Sequence, residues 1–142
     1  MSKLLIGREY PDEVIKIVQS AKVSIKILMY DWRWYSHQPG ARIQKLNNAI
    51  VQAVKRGVEV KAVLNNKSIL KILNAQGIKA ISTNVSRTMH AKIVIVDEKD
   101  LFVGSHNFSI NGFEINHEIS LHSQDHFMIS RCLTFFNNLC LS

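Results

Sequence analysis

Two apolar runs, Met89–Val96 and Leu101–Val103, flank the polar stretch Asp97-Glu98-Lys99-Asp100, and no other feature constrains the chain so tightly. A four-residue polar connection between two such runs reads as a β-hairpin. The first run is interrupted only by His90 and Lys92, and side-chain alternation puts both on one face of the strand. Symmetrical pairing about the loop sets Lys92 opposite Ser105 and His90 opposite Asn107, with Ser105 and Asn107 able to join the same face. That register gathers an imidazole, an ammonium, a hydroxyl and a carboxamide on one patch, and a slip by one residue would scatter them. The inventory suits a phosphate ester: a nucleophile or proton carrier, a cation, and neutral donors for the oxyanion.

The spacing His90-x-Lys92-x4-Asp97-x6-Gly104-Ser105-x-Asn107 specifies six positions. At roughly 5% usage each, a random chain of this length matches them with odds on the order of 10⁻⁶, so chance is set aside. The pattern resembles the full signature of the phospholipase D superfamily. The segment Ala49–Val60, a helix followed by Arg56-Gly57-Val58 and a strand, resembles what lies upstream of that signature, and the likeness runs from about Val23 onward. Asn65 departs from it, standing at the end of the Val58–Leu64 strand where an aspartate is common.

The resemblance implies a chemistry. His90 would attack phosphorus as a neutral imidazole and form a covalent phosphohistidine, with Lys92 on the non-bridging oxygens and Asn107 donating to the transition state. Ser105 bonds either phosphate or imidazole. Glu118, where relatives often carry a downstream acid, would orient the imidazole from an Ile115–Leu121 strand. Asp97 and Gly104 read as structural members of the motif. The scheme needs neither metal nor cofactor. Phospholipase D enzymes usually join two motifs, whereas this chain has one and no internal repeat. It therefore resembles members that build one active site across a homodimer, with two copies of His90 about one phosphate.

The rest of the chain is read for organisation. With 142 residues and 46% apolar content it is expected to form a single domain over 1–142. Pro11 opens a helix to about Ser20, Lys22–Tyr30 is a strand, and Arg42–Arg56 is a helix with Ile43, Leu46, Ile50 and Val54 inward. Val58–Leu64 is a strand, Ser68 caps a short helix ending at Gly77, and Ile78–Ser82 is a strand. Met128, Cys132, Phe135 and Leu139 mark a closing helix. This order predicts an α/β fold: a mixed β-sheet flanked by helices on both faces.

The loop from Tyr30 to Gly40 holds both tryptophans. Three readings of Trp32, Arg33 and Trp34 compete: stacking on unpaired bases with Arg33 on backbone phosphate, interface or core packing, and a membrane-interface anchor. The first makes them substrate-binding residues. His122 and His126, four apart, have no third ligand at an obvious offset and read as a solvated helix start. His106 and His117 are expected to be inessential, and His37, in the aromatic loop, to be exposed.

The net charge of +7 favours a polyanionic partner, nucleic acid or anionic lipid. Lys3-Leu4-Leu5-Ile6, followed by Gly7-Arg8-Glu9, is too short for a signal core or a span, so a cytoplasmic protein without stable membrane association is expected. Cys132 and Cys140, about 12 Å apart along a helix axis, read as buried, unbridged thiols. The leading expectation is a metal-independent, non-specific endonuclease acting on DNA or RNA. The alternatives are a phospholipid hydrolase or transphosphatidylase, and a catalytically idle nucleic-acid-binding dimer.

Overall fold

A computed structural model describes residues 1–83 and 86–141. Its strands and helices follow in the order β1 (Ser2–Ile6), α1 (Glu9–Gln19), β2 (Ser24–Met29), α2 (Arg42–Lys55), β3 (Glu59–Leu64), α3 (Leu70–Ala75), β4 (Lys79–Ser82), β5 (Lys92–Val96), β6 (Asp100–Gly104), β7 (Ile119–Ser123) and α4 (His126–Leu141). Short 3₁₀ and π turns lie at Lys67–Ile69 and Asn111–Ile115. The seven strands form one sheet in the order β1-β7-β6-β5-β2-β3-β4. The β2–β3 and β3–β4 pairs are parallel and the others antiparallel, which makes the mixed sheet expected from the helix–strand alternation.

Both faces are covered, as the long apolar runs of the central strands require. On one face Val14 and Val18 of α1, Ile43, Leu46 and Ile50 of α2, and Leu73 of α3 pack on Ile25, Ile27, Val60, Ala62, Val94 and Phe102. On the other, Ile129 and Phe136 of α4 pack on Leu28, Val63, Ile93, Ile95 and Leu101. The inward stripe of α4 thus runs through Ile129 and Phe136, and Phe135 of the expected face is 47% exposed. Cys132 is half-buried and Cys140 exposed, so only one of the two thiols is shielded.

The hairpin forms, with its register one residue away from the symmetrical expectation. Val96 pairs with Asp100 and Ile93 with Val103, so the connection is the three residues Asp97-Glu98-Lys99. Two causes combine. Asp97 and Glu98 take left-handed backbone (φ 54° and 52°), which tightens the turn. Asp100, polar and therefore loop-like in sequence, is buried in the strand because His122 Nε2 and Gln124 Nε2 donate to its Oδ1 at 2.8 and 2.9 Å. His122 is accordingly a buried strand residue stacked on Phe102 (centroids 4.4 Å apart), not a solvated helix start.

Two further differences concern the edge of the sheet. The strand expected from Ile115 begins only at Ile119, because Asn111–Ile115 winds into a π turn that buries Phe113 against Tyr10 and Phe108. The N-terminal run Ser2–Ile6 forms the edge strand β1 on β7. Only Leu5 of it is buried, so it carries too weak an apolar pattern to be read as a strand.

Candidate active site

The motif residues meet at the end of the sheet where β5 begins. His90 is exposed just before β5, and Lys92 is its first residue, half-buried. The Lys92 ammonium donates to His90 Nδ1 at 2.9 Å and to the His90 carbonyl at 2.8 Å, with Nε2 at 3.4 Å. A ring nitrogen that accepts from an ammonium carries no proton, so the shorter contact is one that an imidazole protonated on Nε2 can make. Burial pushes the Lys92 ammonium below the ordinary lysine value, and the nearby Glu118 carboxylate works against that shift. Tyr30, at the end of β2, completes the cluster. Its ring lies 4.7 Å from the His90 ring, and the Lys92 ammonium sits 5.3 Å from its centroid, within cation–π range.

Asn107 reaches this end of the sheet after β6 has ended. The Phe108 N–H donates to the Asp31 carbonyl and the Arg33 N–H to the Phe108 carbonyl, stitching 107–108 alongside the segment that follows β2. Asn107 Oδ1 accepts the Asp31 N–H at 3.2 Å. With its oxygen so engaged, the carboxamide offers its NH₂ as the donating end, which is the polarity an anionic ligand needs. Tyr30 and Asp31 are consecutive, so His90 and Asn107 are brought to the same end of β2. Gly112 permits this path: a Cβ there would stand 2.4 Å from the Asn107 carbonyl oxygen. Gly104 has a parallel role, since a Cβ would lie 2.3 Å from Ser120 Oγ and force β6 from β7.

The remaining motif residues are structural. Ser105 Oγ donates to the Ile119 carbonyl at 3.2 Å and accepts the Ile119 N–H at 3.0 Å, so its hydroxyl extends the β6–β7 ladder. The Asp97 carboxylate accepts the N–H groups of Lys22, Val23 and Ser24 at 2.8–3.2 Å, pinning the hairpin turn to the start of β2. Burial pushes its pKa up, but those donors and Lys99 outweigh burial and hold it below the ordinary aspartate value. Glu118 is half-buried, and its Oε2 accepts from Asn116 Nδ2 at 3.1 Å. The ring of His90 bonds Lys92 instead of Glu118, so the orienting contact expected within one chain is not made.

The aromatic loop needs correction. Trp32 is fully buried, its indole N–H donating to Asn47 Oδ1 at 2.7 Å and its ring edge-on to Phe108, so it cannot face a substrate. Asn66 holds its backbone from both sides and Trp34 packs half-buried on the same core, which favours the packing reading for both tryptophans. Arg33 alone is exposed, paired with Asp31 at 2.9 Å, and that partner raises its pKa.

Three contributions escaped the sequence reading. Tyr30 belongs to the cluster through ring contacts that no spacing rule encodes. Asn65 Oδ1 accepts the Met89 N–H at 3.1 Å and so holds the backbone leading into His90. His106 is fully buried, stacked 4.2 Å from the Tyr10 ring, with Nδ1 on Ser120 Oγ at 2.7 Å and Nε2 on the Gly7 carbonyl at 2.9 Å. It clamps the strand between Ser105 and Asn107, and burial lowers its pKa.

Residues 14–140 match the model of a family described as cardiolipin synthase, PLD-like domain. The chain belongs to the phospholipase D superfamily. Within it, the chain is 26% identical over 121 residues to cardiolipin synthase B of Escherichia coli, an alignment covering 72% of this chain and 28% of that protein. It thus spans under a third of the length of that relative. NucT from Helicobacter pylori has the same fold, with a TM-score of 0.80 at 23% identity over 100% of this chain and 96% of that one. So has Nuc from Salmonella typhimurium, a phospholipase D family member, at 0.80 and 22% over 98% and 94%.

Proposed function

We propose that the chain is a metal-independent phosphodiesterase that cuts nucleic acid strands at His90. The observation that carries this reading is the exposed imidazole bonded at 2.9 Å to an ammonium, at the same sheet end as a carboxamide anchored through its oxygen. A phosphodiester entering there takes the Lys92 ammonium onto its non-bridging oxygens, since an anionic oxygen is the stronger acceptor. That releases the His90 ring, whose unprotonated nitrogen attacks phosphorus. An N–P bond forms, the P–O bond to the leaving group breaks, and the Asn107 NH₂ donates to the oxygens that gain charge.

One chain supplies one imidazole, and the departing oxygen needs a proton. In this scheme two copies close about one phosphate, and the second His90, entering as the imidazolium, gives its proton to the leaving oxygen and becomes neutral. It then takes a proton from water, which attacks phosphorus and breaks the N–P bond. The paired ammoniums supply the positive charge that a metal ion would otherwise bring. The net charge of +7 and the full-length likeness to Nuc and NucT support a nucleic acid substrate. The likeness to cardiolipin synthase B favours a second reading, hydrolysis or transfer on anionic phospholipid.

A side-by-side assay in EDTA on single-stranded DNA, duplex DNA, RNA and anionic liposomes tests the proposal. Strand cleavage should persist undiminished. Complete loss with recovery on adding Mg²⁺ contradicts the metal-free scheme, and turnover confined to liposomes transfers the assignment to the lipid reading. Mixing equal amounts of wild-type and His90→Ala subunits should leave about a quarter of the activity after random reassortment, against about half for self-sufficient chains.

A further inference from the structure

Three carboxamides from other elements take up the backbone of the segment Trp32–Tyr35, which leads away from β2. Asn66, just past β3, accepts the Trp32 N–H on Oδ1 at 3.2 Å and donates Nδ2 to the Trp32 carbonyl at 3.0 Å. Asn47 of α2 donates Nδ2 to the Arg33 carbonyl at 3.1 Å while its Oδ1 takes the Trp32 indole N–H. Gln44, one turn earlier, accepts the Tyr35 N–H at 2.7 Å and Asn47 Nδ2 at 3.0 Å. Asn47 and Gln44 are buried, and none of the three touches the His90–Lys92 pair. We propose that Asn66 and Asn47 are positioning residues for Asn107: they fix the backbone of Trp32 and Arg33, and that backbone fixes the carboxamide that meets the phosphate. The proposal rests on the phosphodiesterase reading, in which the Asn107 NH₂ donates to the oxygens that gain charge.

The relay can be followed bond by bond. The Arg33 N–H donates to the Phe108 carbonyl at 2.8 Å and the Phe108 N–H to the Asp31 carbonyl at 3.0 Å. The Tyr35 hydroxyl accepts the Ile110 N–H at 3.3 Å, so the segment 107–110 leans on 31–35 along its length. The Asn107 carboxamide itself is held by the Asp31 N–H at 3.2 Å, its one side-chain hydrogen bond among the described residues. Its placement therefore depends on that of the loop. The choice of side chain points the same way. A carboxamide carries both a donor and an acceptor, so it can hold a peptide group from either side as a neighbouring strand would. Apolar side chains could fill the same space without the cost of burying amides, but they would leave the backbone free to slide. That matters for catalysis, since a misplacement on the order of 1 Å can cost about 100-fold in rate.

The test is kinetic, on bis(4-nitrophenyl) phosphate, a phosphodiester that favours neither nucleic acid nor lipid. Asn66→Ala should lower kcat about tenfold with KM kept within about twofold, as loss of an interaction made in the transition state does. In an Asn107→Ala background the same substitution should change kcat by less than about twofold, because the group it positions is gone. Asn66→Asp keeps the acceptor for the Trp32 N–H, loses the donor and should fall between; it carries the test if the Ala variant does not fold. Amide hydrogen exchange reads the relay without catalysis. In Asn66→Ala the Asp31 and Phe108 N–H groups should exchange about tenfold faster, with Ile27 of β2 unchanged. Equal kcat in wild type and variant overturns the proposal, as do additive losses with Asn107→Ala or unchanged exchange at Asp31 and Phe108. Exchange that quickens throughout β2 gives Asn66 a purely structural role and overturns it too. A wild type that hydrolyses no phosphodiester, with exchange at Asp31 still responding, sinks the phosphodiesterase reading and upholds the placement of Asn107.

Discussion

His90 and His106 stand sixteen residues apart in one motif and live in opposite surroundings. His90 is exposed, tied only to a lysine two residues on and leaned upon by the Tyr30 ring. His106 is fully buried, with both nitrogens bonded and its face stacked on Tyr10. The pair shows how this hairpin divides its work. The exposed imidazole is held loosely and in water, while the strand beyond it is held rigidly so that Asn107 emerges in a fixed place.

The contrast breaks most easily at its exposed end. His90→Ala should lower turnover by a factor on the order of 10⁴ or more, as loss of a nucleophile does. The thermal midpoint should stay within a degree or two, because the ring is exposed and Tyr30 is the one ring that meets it among the described residues. A large fall in the midpoint would show that His90 is part of the framework.

At the buried end the outcomes reverse. His106→Ala removes two hydrogen bonds and a stacked ring, and should cost about 3 kcal/mol in urea unfolding. The same histidine gives a pH signature. Burial lowers its pKa in the folded chain, so the unfolded chain takes up the proton first as pH falls below about 6.5, and stability is lost on the acid side. His106→Gln should lessen that loss between pH 7.5 and 5.5. An unchanged slope would mean that the buried ring titrates freely.

Asp97 belongs to the rigid end as well. Asp97→Ala strands three backbone N–H groups at the start of β2 and should cost about 2 kcal/mol, with Asp97→Asn recovering part of it through its remaining oxygen. The smallest expected effect sharpens the loose end. Tyr30→Leu should lower kcat about tenfold by removing the ring that faces both His90 and Lys92, and Tyr30→Phe should keep activity. Equal activity in Leu and Phe variants would show that the ring merely fills space.

The same division explains what the sequence disclosed. The helix–strand alternation, the covered sheet and the hairpin were legible because each rests on apolar periodicity, and α2 and β3 appear within a residue or two of their expected ends. What was hidden depends on partners far along the chain. Asp100 reads as loop until His122 arrives from β7 to bury it, and that single pairing moves the register. Trp32 leaves stacking, packing and membrane anchoring open in the sequence, and only the Asn47 partner of its indole N–H decides for packing. Ser105 sits in the motif with a hydroxyl that looks free, yet the backbone of Ile119 takes it. The motif thus placed the exposed His90–Lys92 pair, and marked its supporting residues without saying what they support.

The most direct test of the account is whether phosphorus becomes bonded to His90. Rapid acid-free quenching of the protein with a ³²P-labelled strand should trap label on the chain that survives in alkali and is released by acid, as a phosphoramidate is, and His90→Ala should trap none. Steady turnover by the wild type with no trapped label, or equal label on His90→Ala, would contradict it.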